Sequence, residues 1–85
     1  MQRSGRRQFD HHEWVGLKRR FKYRCVRCGK KEDKSDPETI LTADHVIPIA
    51  MGGSKGIGNI QPMCRACNWK KGTGHTDYRW RKFKN

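Results

Sequence analysis

Two Cys-x-x-Cys pairs constrain this chain more than any other feature. Cys25 and Cys28 form the first pair and Cys64 and Cys67 the second, with 35 residues between them. Each such turn directs two thiolates at one point, so two turns complete the tetrahedral four-thiolate shell of a structural zinc. Two separate redox pairs, or a disulfide, are the alternative interpretation, but a reducing cytoplasm favours metal. The gap exceeds that of a simple zinc ribbon and predicts a substructure between the pairs.

The size of the chain makes such a site necessary. With 85 residues, of which 33% are hydrophobic, the chain forms one domain with a marginal core. A structural zinc adds about 10–16 kcal/mol of apparent folding free energy. A closed four-thiolate site has no open coordination position, so any catalysis needs a second centre.

The charge of the chain indicates its class of partner. Lys and Arg number 20 and Asp and Glu 8, which gives a net charge of +12. This excess indicates a polyanion, with nucleic acid ahead of a membrane surface. No stretch approaches the roughly 20 apolar residues of a membrane span, and the N-terminus lacks the apolar run of a signal peptide. We therefore expect a soluble, cytoplasmic protein.

Local signals predict a small α+β fold with an N-terminal helix. That helix runs from Asp10 to about Tyr23, with Glu13 as the capping-box partner of Asp10. The other predicted segments are a flexible basic arm at 1–9, a strand at about 39–46, a Gly-rich loop at 47–58, a short strand at 59–61 and a helix at about 64–71 ended by Gly72. The basic and aromatic tail at 76–85 either contacts nucleic acid or closes the core.

Four polar residues between and beside the cysteines are candidates for chemistry. Asp44 and His45 end the predicted strand, Asn59 follows the Gly-rich loop, and Asn68 directly follows Cys67. Taken singly, a histidine is usually packed or exposed, and an asparagine near glycines usually forms a turn. Because the second cysteine pair fixes the position of Asn68, the strand and the helix can bring Asp44, His45 and Asn68 together.

At this point the chain resembles the HNH nuclease family of the ββα-metal, or His-Me finger, group. The resemblance covers roughly residues 25–71 and keeps the cysteines in register with the candidate residues. Its motifs are Leu41-Thr-Ala-Asp44-His45-Val-Ile-Pro48, Gly52-Gly53, Asn59-Ile-Gln-Pro-Met-Cys64, Cys67-Asn68 and Lys71. One position departs from the family, since the helix carries Asn68 where a histidine is usual, which makes this an HNN variant.

The resemblance implies a role for each candidate. His45 is the general base that activates water, and Asp44 and Asn68 hold one divalent ion. Their oxygen ligands suit Mg²⁺ or Mn²⁺. Asn59 is implied to bridge the loop and orient the base. Cleavage by the family leaves 5′-phosphate and 3′-hydroxyl ends. The implied phosphate contacts are Arg65, Lys70 and Lys71.

The expected function is therefore a metal-dependent endonuclease acting on double-stranded DNA, with the whole of 1–85 as a single nuclease domain. In length and basicity the chain also resembles small phage HNH proteins encoded beside DNA-packaging genes, which implies terminase subunits as partners. The alternative is a non-catalytic zinc-ribbon protein that binds nucleic acid. A third interpretation is an accessory subunit that contacts a packaging motor.

Overall fold

The computed structural model describes residues 8–80, and its first element is the helix α1, His11–Arg20. The predicted capping box is confirmed: the Glu13 amide donates to Asp10 Oδ1 at 2.8 Å, and the Asp10 amide donates to Glu13 Oε1 at 3.0 Å. The helix is shorter than predicted because Lys22 and Tyr23 both have a φ of 58°, which ends helical geometry. Of the predicted arm at 1–9, residues 1–7 lie outside the described part.

An antiparallel hairpin forms the middle of the fold. Strand β1, Leu41–His45, pairs with strand β2, Ile60–Cys64, so that the two ends of β1 lie opposite Cys64 and Ile60. Strand β1 starts later than predicted because the preceding Pro37–Thr39 segment forms a 3₁₀ turn capped by Asp36. Strand β2 is longer than predicted and is buried along its whole length.

Helix α2, Arg65–Lys71, follows β2 without a loop. The side chain of Cys64 caps its start by accepting from the Cys67 amide, and Gly72, with a φ of 58°, ends it as predicted. Two helices and a two-stranded sheet confirm the α+β fold with an N-terminal helix.

The core is built around the thiols of Cys25, Cys64 and Cys67, whereas Cys28 is exposed. Its buried members are Cys25, Val26, Leu41, Met63, Cys64 and Cys67, and Trp14, Phe21, Tyr23, Ala66 and Tyr78 pack against them. The face of α1 that carries Trp14 and Leu17 therefore points inward. Since so few apolar side chains are buried, metal binding at the thiol cluster decides whether this core is stable.

The tail packs on β2 as far as it is described. The Tyr78 amide donates to Gln61 Oε1 at 2.9 Å, and Gln61 Nε2 donates to the Thr76 carbonyl at 3.0 Å. Tyr78 also packs against the core, so this part of the tail helps to close it, while Trp80 is exposed and 81–85 lie outside the described part. Within residues 8–80, no helix has the length and apolar character needed to cross a membrane.

Candidate zinc centre and candidate active site

The four cysteine side chains converge on one point. Their Sγ atoms all lie within 4.8 Å of one another, and those of Cys28 and Cys64 are 3.9 Å apart. A tetrahedron of thiolates at about 2.3 Å from a zinc ion has edges of about 3.8 Å, so the cluster needs little adjustment to close on a metal. The four cysteines are thus placed to bind one metal ion, and an all-thiolate donor set is typical of structural zinc.

Backbone amides surround these sulfurs. Cys25 Sγ accepts from the amides of Arg27 and Cys28 at 3.3 and 3.4 Å, and Cys64 Sγ accepts from the Cys67 amide at 3.4 Å. Burial raises the pKa of the Cys25 thiol, but the amides together bring this pKa below its ordinary value. For Cys64, burial prevails and raises the pKa to about 12. A metal that binds here must therefore displace protons from thiols.

The second centre is an open groove where the end of β1 meets α2. Asp44, His45 and Asn68 all line this groove, whose volume is about 320 Å³. Asp44 is buried, whereas His45 and Asn68 are partly exposed. Residues that are 24 positions apart in the chain thus share one cavity, because the hairpin and the second cysteine pair bring the strand end and the helix together. We call this cavity the active-site groove.

The orientation of the Asn68 amide is fixed by a chain of hydrogen bonds. Thr42 Oγ1 donates to the Met63 carbonyl at 2.7 Å and must therefore accept from Asn68, whose Nδ2 lies 2.7 Å away. This arrangement leaves Asn68 Oδ1, the amide atom that ligates cations, without a hydrogen bond among the described residues.

Asp44 has two partners that sequence reasoning missed. Its Oδ2 accepts from Gln61 Nε2 at 2.8 Å and lies 3.1 Å from Lys71 Nζ. Gln61 faces Asp44 across the hairpin, so only the strand register could have identified it. The Lys71 side chain is 3% exposed, and its ammonium also reaches the His45 carbonyl at 3.4 Å.

The three predicted phosphate contacts therefore divide into two kinds. Arg65 and Lys70 are exposed on α2, as a contact to DNA requires. Lys71 instead directs its ammonium into the active-site groove, because the carboxylate of Asp44 attracts it there.

Asn59 closes the loop that follows β1. This residue is 8% exposed, and its Nδ2 donates to the carbonyls of Ile47 and Ser54 at 2.9 and 2.8 Å. Its Oδ1 accepts from the Ile47 amide at 3.0 Å. Gly53 permits this closure, since a Cβ there would lie 1.7 Å from the Ile47 carbonyl oxygen. The amide of Asn59 thus fixes the chain two residues beyond His45.

Comparison with known proteins gives one match. The family model described as HNH endonuclease matches residues 25–74, which is more than half of the chain and includes both cysteine pairs and the active-site groove. No curated protein matches, and no solved structure matches.

Proposed function

Because this chain belongs to the HNH endonuclease family, we propose that it hydrolyses phosphodiester bonds in double-stranded DNA with one divalent cation. The observation that carries the proposal is the meeting of Asp44, His45 and Asn68 in one groove. A purely DNA-binding zinc module has no need for a carboxylate, an imidazole and an amide oxygen in the same cavity.

The groove has a donor set that fits Mg²⁺ or Mn²⁺. Asp44 offers a carboxylate and Asn68 the free Oδ1, and both are hard oxygen ligands. The open side of the groove leaves room for the waters and phosphate oxygens that complete such a coordination shell. A divalent ion at these ligands would stabilise the charge that develops on the phosphate and on the leaving 3′ oxygen.

The protein side chains have three tasks in this mechanism. His45 accepts the proton of the attacking water, since histidine is the side chain that most often acts as a general base. Asn59 holds the loop beside His45 and so keeps the imidazole in place. Arg65 and Lys70 contact phosphates with their exposed cationic ends. The products carry 5′-phosphate and 3′-hydroxyl ends.

The four thiolates hold a structural zinc in this proposal, and the whole of 1–85 acts as one nuclease domain with 25–71 as its core. We also propose a phage-encoded role in DNA packaging in the host cytoplasm, with terminase subunits as partners, and the net charge of +12 suits contact with the packaged DNA.

Plasmid nicking tests the proposed function. Zinc-loaded protein should nick supercoiled DNA with Mg²⁺ or Mn²⁺ and stop when the added cation is removed. His45→Ala should lower the rate by about 10²–10⁴-fold, the usual contribution of a general base. His12→Ala is the matched control, because His12 is exposed on α1. If His45→Ala nicks DNA at the wild-type rate, His45 is not the general base.

One observation favours a second function, a non-catalytic DNA-binding protein. Lys71 Nζ lies 3.1 Å from Asp44 Oδ2 and neutralises the charge of this carboxylate. Such an ion pair suits a groove that never binds a divalent cation. If salt-sensitive DNA binding persists while no nicking occurs with either cation, this second function is correct and the nuclease proposal fails.

A further inference from the structure

Trp69 is the most exposed of the large hydrophobic side chains in the described part of the chain. It is 85% exposed and sits on α2 directly after Asn68, whereas Trp14 on α1 packs against the core. An indole in water gains nothing from the hydrophobic effect, and tryptophan is one of the residues that are enriched at binding interfaces.

The surroundings of Trp69 form a second cavity beside the active-site groove. Arg65 and Trp69, one helical turn apart, line this cavity together with Thr42 and Asn68, and its volume is about 560 Å³. Asn68 and Gly72 line both cavities. A ligand that enters the second cavity therefore lies next to whatever occupies the active-site groove.

We propose that this second cavity binds one unpaired DNA base, which stacks on the Trp69 indole while Arg65 contacts the adjoining phosphate. The inference rests on the proposed function, and it names the substrate class: duplex DNA that is interrupted by a gap, flap or bubble at the cut. Bases inside a continuous duplex are stacked on both faces, so a base can present a face to the indole only where the duplex is interrupted or ends.

Charge favours DNA as the occupant over a second copy of the chain. Trp69 lies between the exposed cations Arg65 and Lys70, and the whole chain has a net charge of +12. Two such surfaces repel each other, whereas a strand of phosphates is attracted. Cationic side chains that follow the backbone and an aromatic ring that stacks on bases are the usual combination in proteins that bind single strands.

Binding of two matched DNAs tests the inference. The zinc-loaded His45→Ala chain, without added Mg²⁺ or Mn²⁺, binds a fluorescent continuous duplex or the same duplex with a short gap, and anisotropy gives each Kd. Introducing Trp69→Ala into this chain should raise the Kd for gapped DNA by about 5- to 150-fold, which corresponds to the free energy of stacking one base. Binding of the continuous duplex should change by less than about twofold, as for an ordinary surface substitution.

Met51→Ala is the control, because Met51 is 61% exposed and lines neither the second cavity nor the active-site groove. This substitution should leave both Kd values nearly unchanged. Equal weakening of gapped and continuous DNA by Trp69→Ala, or no weakening of either, overturns the inference. A wild-type dimer in sedimentation that becomes a monomer with Trp69→Ala also overturns it, since a second copy then covers the indole.

Failure of the inference differs from failure of the proposed function. If only the inference is wrong, wild-type protein nicks DNA but Trp69→Ala does not discriminate between the two DNAs. If only the nuclease proposal is wrong, gapped DNA still needs Trp69 for tight binding, yet neither DNA is cut with Mg²⁺ or Mn²⁺.

Discussion

Replacing Asn59 by alanine should destabilise the protein far more than its position in a loop suggests. The side chain makes three hydrogen bonds, to the Ile47 amide and to the carbonyls of Ile47 and Ser54. Asn59 itself is 8% exposed. At about 1 kcal/mol each, the three bonds contribute about 3 kcal/mol. For a domain of this size, that loss lowers Tm by roughly 12–24 °C.

Thermal unfolding followed by circular dichroism, in zinc and without chelator, measures this change. Asn68→Ala is the matched control, since Asn68 is partly exposed and makes one side-chain hydrogen bond, to Thr42. Its loss should lower Tm by only about 4–8 °C but should abolish nicking. A Tm of Asn59→Ala within about 4 °C of wild type, or a larger loss for Asn68→Ala, would refute this account of the loop.

Three further predictions follow from the metal sites and the glycines. A strong chelator should remove the helical circular dichroism signal, because the core is built on the thiol cluster; an unchanged spectrum after verified metal loss would exclude a structural metal. Lys71→Met should raise the affinity of the groove for Mn²⁺, measured by calorimetry, by about tenfold, since the ammonium 3.1 Å from Asp44 Oδ2 competes with the cation; equal or weaker binding contradicts this. In urea unfolding, Gly53→Ala should lower the free energy of unfolding by about 1–3 kcal/mol, because its new Cβ meets the backbone of Ile47. Gly16→Ala, whose Cβ enters open space on α1, should raise this free energy by about 0.5–1 kcal/mol, and effects of the same sign would contradict both predictions.

Local sequence signals were sufficient for two ends of the helices. The capping box at Asp10 and the helix end at Gly72 both depend on neighbouring residues. The second strand was predicted too short because Pro62 normally interrupts a sheet. Its carbonyl instead accepts from the Val26 amide, so the backbone of Pro62 faces away from β1, and the missing N–H costs no hydrogen bond of the hairpin.

Partners that meet across the fold could not be predicted from local signals. The contact of Gln61 with Asp44 depends on the register of the hairpin, and the inward direction of Lys71 depends on the carboxylate it meets. One periodic signal was available for Lys71, because Asn68 and Lys71 are three residues apart on α2 and so lie on the same face. Arg65 and Trp69 lie on another face of the same helix, which is the face that lines the second cavity.

The thiol cluster and the active-site groove are mechanically one unit, although a closed zinc site does no chemistry. Cys67 and Asn68 are consecutive on α2, and Cys64 pairs with the first residue of β1 while Gln61, three residues earlier, pairs with Asp44. Three strand residues span about 10 Å, so a shift of the second cysteine pair is transmitted both to the helix side and to the strand side of the groove. An amide and a carboxylate oxygen can share a cation only within about 0.5 Å of the required positions. With Mg²⁺ kept in excess over the chelator, zinc content and nicking rate should therefore fall together, while salt-sensitive binding to DNA, which needs only charge, declines less steeply.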